Sequence, residues 1–269
     1  MALRRDRSEL TYSIREDVVG LIPAAGEAKR LGALPCSKEL YPIGFRRDKA
    51  LLPKVACHYT LEKMRAAEIT QIYIILQAGK WDIPSYFRDG GVADVNLAYL
   101  TLGLPFGAPY TLNQAYPFVR EKTIALGFAD IVFHVEDAYS RLLHELTQDS
   151  TDVVLGLFPA DRPEKVDMVN LDNKGKITEI IIKPSRTDLH YTWGIAVWKP
   201  SFTRFMHEFL QTTVQTAVHK PELFVGDIIH ASIVEGLHVQ GLEISREPYL
   251  DIGTSEDLLR AIRSACSLI

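Results

Sequence analysis

The sequence predicts an α/β fold, a mostly parallel sheet flanked by helices, with a smaller β-rich portion in the second half. Two observations carry this. Strand-sized apolar runs alternate with helix-length amphipathic stretches from Val18 to Leu157, the pattern of a parallel sheet with crossover helices. After that the spacing tightens into short strands joined by a glycine-containing turn. At 269 residues and 47% hydrophobic content the chain can bury a substantial core. No repeat, low-complexity stretch or linker divides it. Residues 15–269 therefore read as a single domain and the charged, aperiodic residues 1–14 as a flexible arm.

Taken in order, residues 18–22 form a short apolar run and a first strand. Residues 56–67 carry apolar positions Tyr59, Leu61, Met64 and Ala67 and read as a helix. Residues 72–76 are a second apolar strand, and 111–119 a helix that follows a Gly/Pro loop. Residues 123–126 and 153–157 are further strands, with a helix over 137–147 between them. Residues 166–171 and 177–182 flank Asp172-Asn173-Lys174-Gly175, a hairpin with its turn. A strand over 191–198 and a helix over 201–210 that opens on a serine come next. The last helix spans 255–265, with Thr254 or Ser255 as its N-cap.

Composition excludes several function classes. A net charge of −4 argues against broad affinity for nucleic acid. The apolar runs are too short to span a membrane, and Met1 to Asp6 lacks the apolar core of a secretory signal. Three cysteines, Cys36, Cys57 and Cys266, are too few and too scattered for a disulfide framework or a zinc site. Cys36 lies in a loop that could be functional, but it also fits as a small packed residue. A cytoplasmic protein is the economical expectation. The chain does not fix an oligomeric state, and a homo-oligomer is compatible with it.

The candidate chemistry starts at Pro23-Ala24-Ala25-Gly26-Glu27-Ala28-Lys29-Arg30, small residues following a buried strand. Backbone N–H groups in such a loop can approach a phosphorylated ligand, and Arg30 and Lys38 add two cations. An ordinary strand-to-helix turn with two surface cations fits the same residues. Asp130 closes another strand-like run, where an aspartate serves either as a metal ligand or as a helix cap. Asp251 lies between Leu250 and Ile252, and a carboxylate flanked by apolar residues needs a partner. Two separated aspartates with substrate phosphates are a usual way to hold Mg²⁺. The eight histidines show no ligand spacing. Lys183, at a strand end, reads either as a second phosphate ligand or as a solvated lysine. No Gly-x-Ser-x-Gly elbow, Walker loop or kinase set is present.

These residues, in this order, resemble the signature of the sugar nucleotidyltransferases, most closely the glucose-1-phosphate thymidylyl- and uridylyltransferase type. The family's Leu-Ala-Gly-Gly-x-Gly-Thr-Arg-Leu is similar to residues 23–31, and its Ser-Lys-x-Leu-Leu-Pro-Ile to residues 37–43. Its Gly-x-Ala-x-Ala base-contact segment is similar to Gly107-Ala108-Pro109, and its Gly-Asp to Ala129-Asp130. Its Glu-Lys-Pro falls on Ile182-Lys183-Pro184 and its Trp-x-Asp-x-Gly-Thr on residues 249–254. The likeness runs from about Val18 to Ala261.

That resemblance implies a Rossmann-like sheet whose β-rich portion binds the acceptor. It implies an NTP and a phosphorylated small-molecule acceptor as partners, with Mg²⁺ as cofactor. Arg30, Lys38 and Asp130 become the catalytic residues, and Asp130 and Asp251 the metal ligands. Ala24, Ala25, Gly26, Pro105 and Gly107 would face the nucleotide, and Lys183, Asp167 and Gly194 the acceptor. The departures are as informative. Ala25 and Ala28 replace glycines, which adds a methyl beside the phosphates at each place, and Lys29 replaces a threonine. Leu102 stands where thymidylyltransferases carry a base-reading glutamine. Ile182 replaces a sugar-binding acid, and Asp167 a sugar-facing glycine. A non-catalytic homologue that keeps the fold is the competing reading, motivated by the lost glycines and opposed by retention of all five charged residues. An acceptor that is not a sugar is a further alternative. A glycosyltransferase would want Asp-x-Asp after a strand, which Asp130-Ile131-Val132 does not supply.

Overall fold

The computed structural model describes residues 17–47, 50–102, 107–148, 150–216 and 223–266; the expected arm over 1–14 lies outside them. The strands are β1 (Val18–Ala24), β2 (Pro42–Arg47), β3 (Leu51–Val55), β4 (Gln71–Gln77), β5 (Asn96–Leu102), β6 (Thr123–Leu126) and β7 (Ile131–Val132). They continue with β8 (Val153–Pro159), β9 (Asp167–Leu171), β10 (Ile177–Ile182), β11 (Tyr191–Trp198), β12 (Val239–Glu243) and β13 (Leu250–Asp251). The helices are α1 (Ala56–Ala66), α2 (Asp82–Phe87), α3 (Ala108–Asn113), α4 (Tyr116–Val119), α5 (Ala138–Leu146), α6 (Pro200–Thr216), α7 (Val225–Val234) and α8 (Ser255–Cys266).

A nine-stranded sheet runs β10-β9-β11-β6-β1-β4-β5, with β8 beside β11 and β12 beside β8. Following the pairings, β1, β4, β5, β6, β8, β9 and β12 share one direction, and β10 and β11 run against it. The predicted mostly parallel sheet is therefore present. Strand β1 shows why it is central. Val18, Ile22 and Ala24 face a core that includes Leu61 and Met64 of α1 and Tyr139 and Leu142 of α5. Val19 and Leu21 face the opposite core, which includes Leu112 of α3, Phe202 and Met206 of α6 and Ile228 of α7. The period of two thus loads both faces, and helices cover both.

The predicted hairpin is β9–β10, with Asp167 opposite Ile182. Two expectations need correction. The single helix over 111–119 is two short ones, α3 and α4, because Pro117 has no N–H to donate to the carbonyl of Asn113. Ser201 does not cap α6, which begins at Pro200; its hydroxyl donates to Asp152 Oδ1 at 2.6 Å. Thr254, by contrast, caps α8: its Oγ1 accepts from the Asp257 N–H at 3.3 Å and donates to Asp257 Oδ2 at 2.6 Å. Among the described residues no helix is long and apolar enough to cross a membrane.

Candidate active site

Because β1, β4 and β6 are parallel neighbours, the segments leaving their carboxyl ends meet at one edge of the sheet, where open α/β sheets bind ligands. The segment after β1 retains Gly26 and carries alanines at positions 25 and 28. Ala28 adopts a left-handed backbone (φ 53°), and its carbonyl accepts the Leu31 N–H at 2.9 Å to open a 3₁₀ turn. For an alanine this conformation costs about 1–2 kcal/mol. Ala25 corrects an expectation. Its methyl is buried in the same core as Val19 and Leu21, so it does not narrow the space beside the loop. Ala24 is likewise core, so both residues offer only backbone groups, while Gly26 is exposed with open space around it.

Lys38 sits on a single 3₁₀ turn, Lys38–Leu40, and its ammonium pairs with the Asp130 carboxylate across 92 residues of sequence. Asp130 lies between β6 and β7. Gly127, just past β6, leaves the space that α1 and α5 side chains occupy, since a Cβ on it would lie 2.4 Å from Thr60 Cγ2 and 2.6 Å from the Tyr139 hydroxyl. Strand β13 brings in Asp251 by pairing with β7, Asp251 opposite Ile131, and the Ile252 N–H donates to the Asp130 carbonyl at 3.0 Å. Arg30 reaches the same place, because a Cβ on Gly253 would lie 2.9 Å from its Nη2 and 3.0 Å from Asp251 Oδ1. Arg30, Lys38, Asp130 and Asp251 therefore converge.

Burial pushes the Lys38 ammonium down, but Asp130, with Glu39 and Asp251 behind it, outweighs that and holds its pKa above the usual lysine value. Burial likewise pushes Asp130 up, and Lys38 reverses it, so Asp130 stays ionised. Asp251 has no such ion-pair partner among the described residues. Burial and the neighbouring Asp130 carboxylate raise it to about 6, offset only in part by Lys38 and Arg30. The arrangement presents one firm anion, one anion in want of a cation, and two positive side chains.

A second group lies on the β-rich side. Lys183 follows β10 in a left-handed conformation (φ 42°), which sets its ammonium 3.7 Å from the centre of the Phe224 ring. Asp167 faces the first turn of α7, where Gly226 leaves room; a Cβ there would lie 2.5 Å from Asp167 Oδ2. Burial raises the Asp167 carboxyl to about 6, with Lys183 pulling it down and Asp227 pushing it up. Tyr249 lies between the two groups, its ring edge-on to Phe158 with centroids 5.3 Å apart. Gly194 is buried beneath that ring, since a Cβ there would lie 3.0 Å from it, so this glycine serves packing. Thr192 donates to the Asp167 carbonyl at 2.9 Å. Arg30, Arg162, Lys165, Thr192, Tyr249 and Asp251 share the lining of one open cleft.

Of the remaining expected residues, Gly107 opens α3 with φ 111°, its carbonyl accepting the Thr111 N–H at 3.2 Å. Pro105 lies outside the described residues. Leu102, the last residue of β5, is buried in the core that also holds Ala25 and Ile75. Cys36 is half-buried, and burial raises its thiol pKa, which fits the packed reading. Sequence reasoning passed over Lys80 and Asp82, which follow β4 and contact the Lys38 turn. Their place just past a parallel strand was the available signal.

The sequence profile of the nucleotidyl transferase family matches residues 20–267, and the chain belongs to that family. Among individual proteins it is 29% identical over 180 residues to a glucose-1-phosphate thymidylyltransferase of Xanthomonas campestris pv. campestris, covering 64% of this chain and 56% of that protein. It is 25% identical over 231 residues to a glucose-1-phosphate thymidylyltransferase of Streptomyces griseus, covering 83% of this chain and 62% of that one. The matches thus span less than two thirds of these relatives. In fold it is similar to a Bacillus anthracis crystal structure, described as a candidate glucose-1-phosphate thymidylyltransferase in complex with a sucrose. There the TM-score is 0.76 and the identity 23%, over 92% of this chain and 95% of that one.

Proposed function

We propose that this chain is a Mg²⁺-dependent nucleotidyltransferase that joins an NTP, dTTP or UTP, to a sugar 1-phosphate, yielding an NDP-sugar and pyrophosphate. The observation that carries this reading is the meeting of Arg30, Lys38, Asp130 and Asp251 at the carboxyl edge of the sheet, next to Lys183 and Asp167. A phosphate oxygen of the acceptor attacks the α-phosphorus in line. The bond from that phosphorus to the β-bridging oxygen breaks, and pyrophosphate leaves with the electron pair. No protein nucleophile is needed; catalysis is positioning and charge neutralisation.

Lys38 and Arg30 balance the charge that grows on the departing pyrophosphate. Backbone N–H groups of residues 25–28 and the Gly107 turn receive the nucleotide. Asp130 and Asp251 are hard oxygen donors, and Asp251, with no hydrogen bond or ion pair among the described residues, suits a divalent cation. When bound there, Mg²⁺ neutralises triphosphate charge. No group of three or more His, Cys, Asp or Glu side chains that could hold a metal occurs among the described residues. Water and substrate oxygens would complete the coordination.

Lys183 takes the acceptor's phosphate. The hairpin register sets Asp167 opposite Ile182, so the acid missing before the Lys-Pro pair is supplied from the facing strand. A relocated carboxylate meets a different hydroxyl or an amino group, which makes plain glucose 1-phosphate an inferior acceptor. Pyrophosphate release across a panel of NTPs and hexose, amino-sugar and deoxy-sugar 1-phosphates tests this. Turnover with a sugar 1-phosphate other than glucose 1-phosphate is expected. No release with any pair would refute the activity, and a wide preference for glucose 1-phosphate would refute the acceptor assignment.

A further inference from the structure

The residues on either side of Lys38 are each held from outside their own turn. The Ser37 N–H and hydroxyl both donate to Asp82, at 2.6 Å to Oδ2 and 2.7 Å to Oδ1. Glu39 accepts from Lys80 Nζ at 2.7 Å. Lys80, on the segment joining β4 to α2, and Asp82, the first residue of α2, stand two residues apart, and the residues they grip stand two apart around Lys38. We propose that Lys80 and Asp82 are positioning residues, a two-point clamp that fixes the direction of the Lys38 side chain for nucleotidyl transfer. This rests on the catalytic role given to Lys38 above.

Three features favour a clamp over ordinary surface pairing. The turn that carries Lys38 is a single 3₁₀ turn closed by two backbone bonds, Leu40 N–H to Ser37 O at 2.9 Å and Tyr41 N–H to Lys38 O at 3.1 Å. So short an element has little rigidity of its own. Glu39 is only 2% exposed and one of its oxygens, Oε2, has no hydrogen-bond partner. A buried, half-satisfied ion pair contributes little net stability and is better explained by what it orients. Finally, Asp82 opens α2 yet spends both oxygens on Ser37, with a further bond from the Ile83 N–H at 3.1 Å, so the first residue of α2 is tied directly to the Lys38 turn.

A reactive cation displaced by an ångström loses much of its effect on the transition state while still attracting substrate. Asp82→Ala is therefore expected to lower kcat at least tenfold while the KM for NTP stays within twofold. Asp82→Asn, which can still accept from the Ser37 N–H, should retain more than half of the activity. In a Lys38→Ala background, Asp82→Ala should change the residual kcat less than twofold, because a clamp acts only through the group it holds. Ser37→Ala, which removes one leg of the clamp, gives an intermediate loss and serves if Asp82→Ala does not fold. Equal fold-losses from Asp82→Ala in both backgrounds, or an unchanged kcat in a folded Asp82→Ala, would overturn the clamp. Wild-type turnover by Lys38→Ala would instead overturn the role of Lys38 itself, so the two failures are distinguishable.

Discussion

Replacing Asp167 by asparagine should stabilise this protein above pH 6 and cost it its acceptor. The Asp167 carboxyl, raised by burial to about 6 from an ordinary 3.8, is disfavoured in its ionised form by the folded state. Each pKa unit corresponds to about 1.4 kcal/mol, so a shift of this size is a penalty of roughly 2–3 kcal/mol at neutral pH. The sign follows from the raised folded value. Below about pH 4 the group is protonated in both states and the penalty vanishes. It grows as pH rises through 4 to 6 and is fully present above. Asparagine has nearly the same shape and no charge, so Asp167→Asn should gain roughly 5–10 °C in Tm at pH 7.5 and converge on the wild type near pH 4. Thermal unfolding at the two pH values reads this directly. The same variant should lose at least tenfold in kcat/KM for the best acceptor, with the KM for NTP unchanged. A pH-independent gain, or a loss of stability at pH 7.5, would refute the electrostatic reasoning. Unchanged acceptor kinetics would refute the role.

Ala28→Gly should stabilise the fold by about 0.5–1 kcal/mol, since relief of the left-handed alanine exceeds the extra unfolded-state entropy of glycine; denaturant titration measures it. Gly127→Ala should destabilise by about 1–3 kcal/mol, because its new methyl would lie 2.4 Å from Thr60 Cγ2, and the same titration decides. Lys38→Ala should lower kcat more than it weakens NTP binding, whereas Lys183→Ala should mainly raise the KM of the phosphorylated acceptor. Steady-state kinetics with each substrate varied in turn would expose swapped assignments.

Much of this was legible in the chain because local pattern and burial agree. The apolar runs at β1, β4, β6 and β8 are strands that bury both faces, and Gly175 marks the hairpin turn with φ 80°. Asp251 stood out as a carboxylate between apolar residues, and Asp130 as either a helix cap or a ligand at a strand end; β7–β13 pairing sets them side by side. The buried side of Ala25 was also readable, since it continues the odd-numbered face of Val19 and Leu21. What stayed hidden depends on long-range docking. Ser37 and Asp82 are 45 residues apart, and Glu39 and Lys80 41. Nothing local to Gly79-Lys80-Trp81-Asp82 announces which loop it grips. The break at Pro117 was misjudged because the apolar spacing of 111–119 continues through a residue that cannot donate the bond a helix needs.

The account stands on nucleotidyl transfer at Lys38, Asp130 and Asp251, and label tracing tests that most directly. With Mg²⁺, a sugar 1-phosphate and dTTP or UTP labelled at either the α- or the γ-phosphate, α-label should enter the NDP-sugar and γ-label the pyrophosphate. Asp130→Asn and Asp251→Asn, each folded, should lower both signals by orders of magnitude. Release of γ-label as inorganic phosphate, or near-normal transfer by either variant at saturating Mg²⁺, would contradict it.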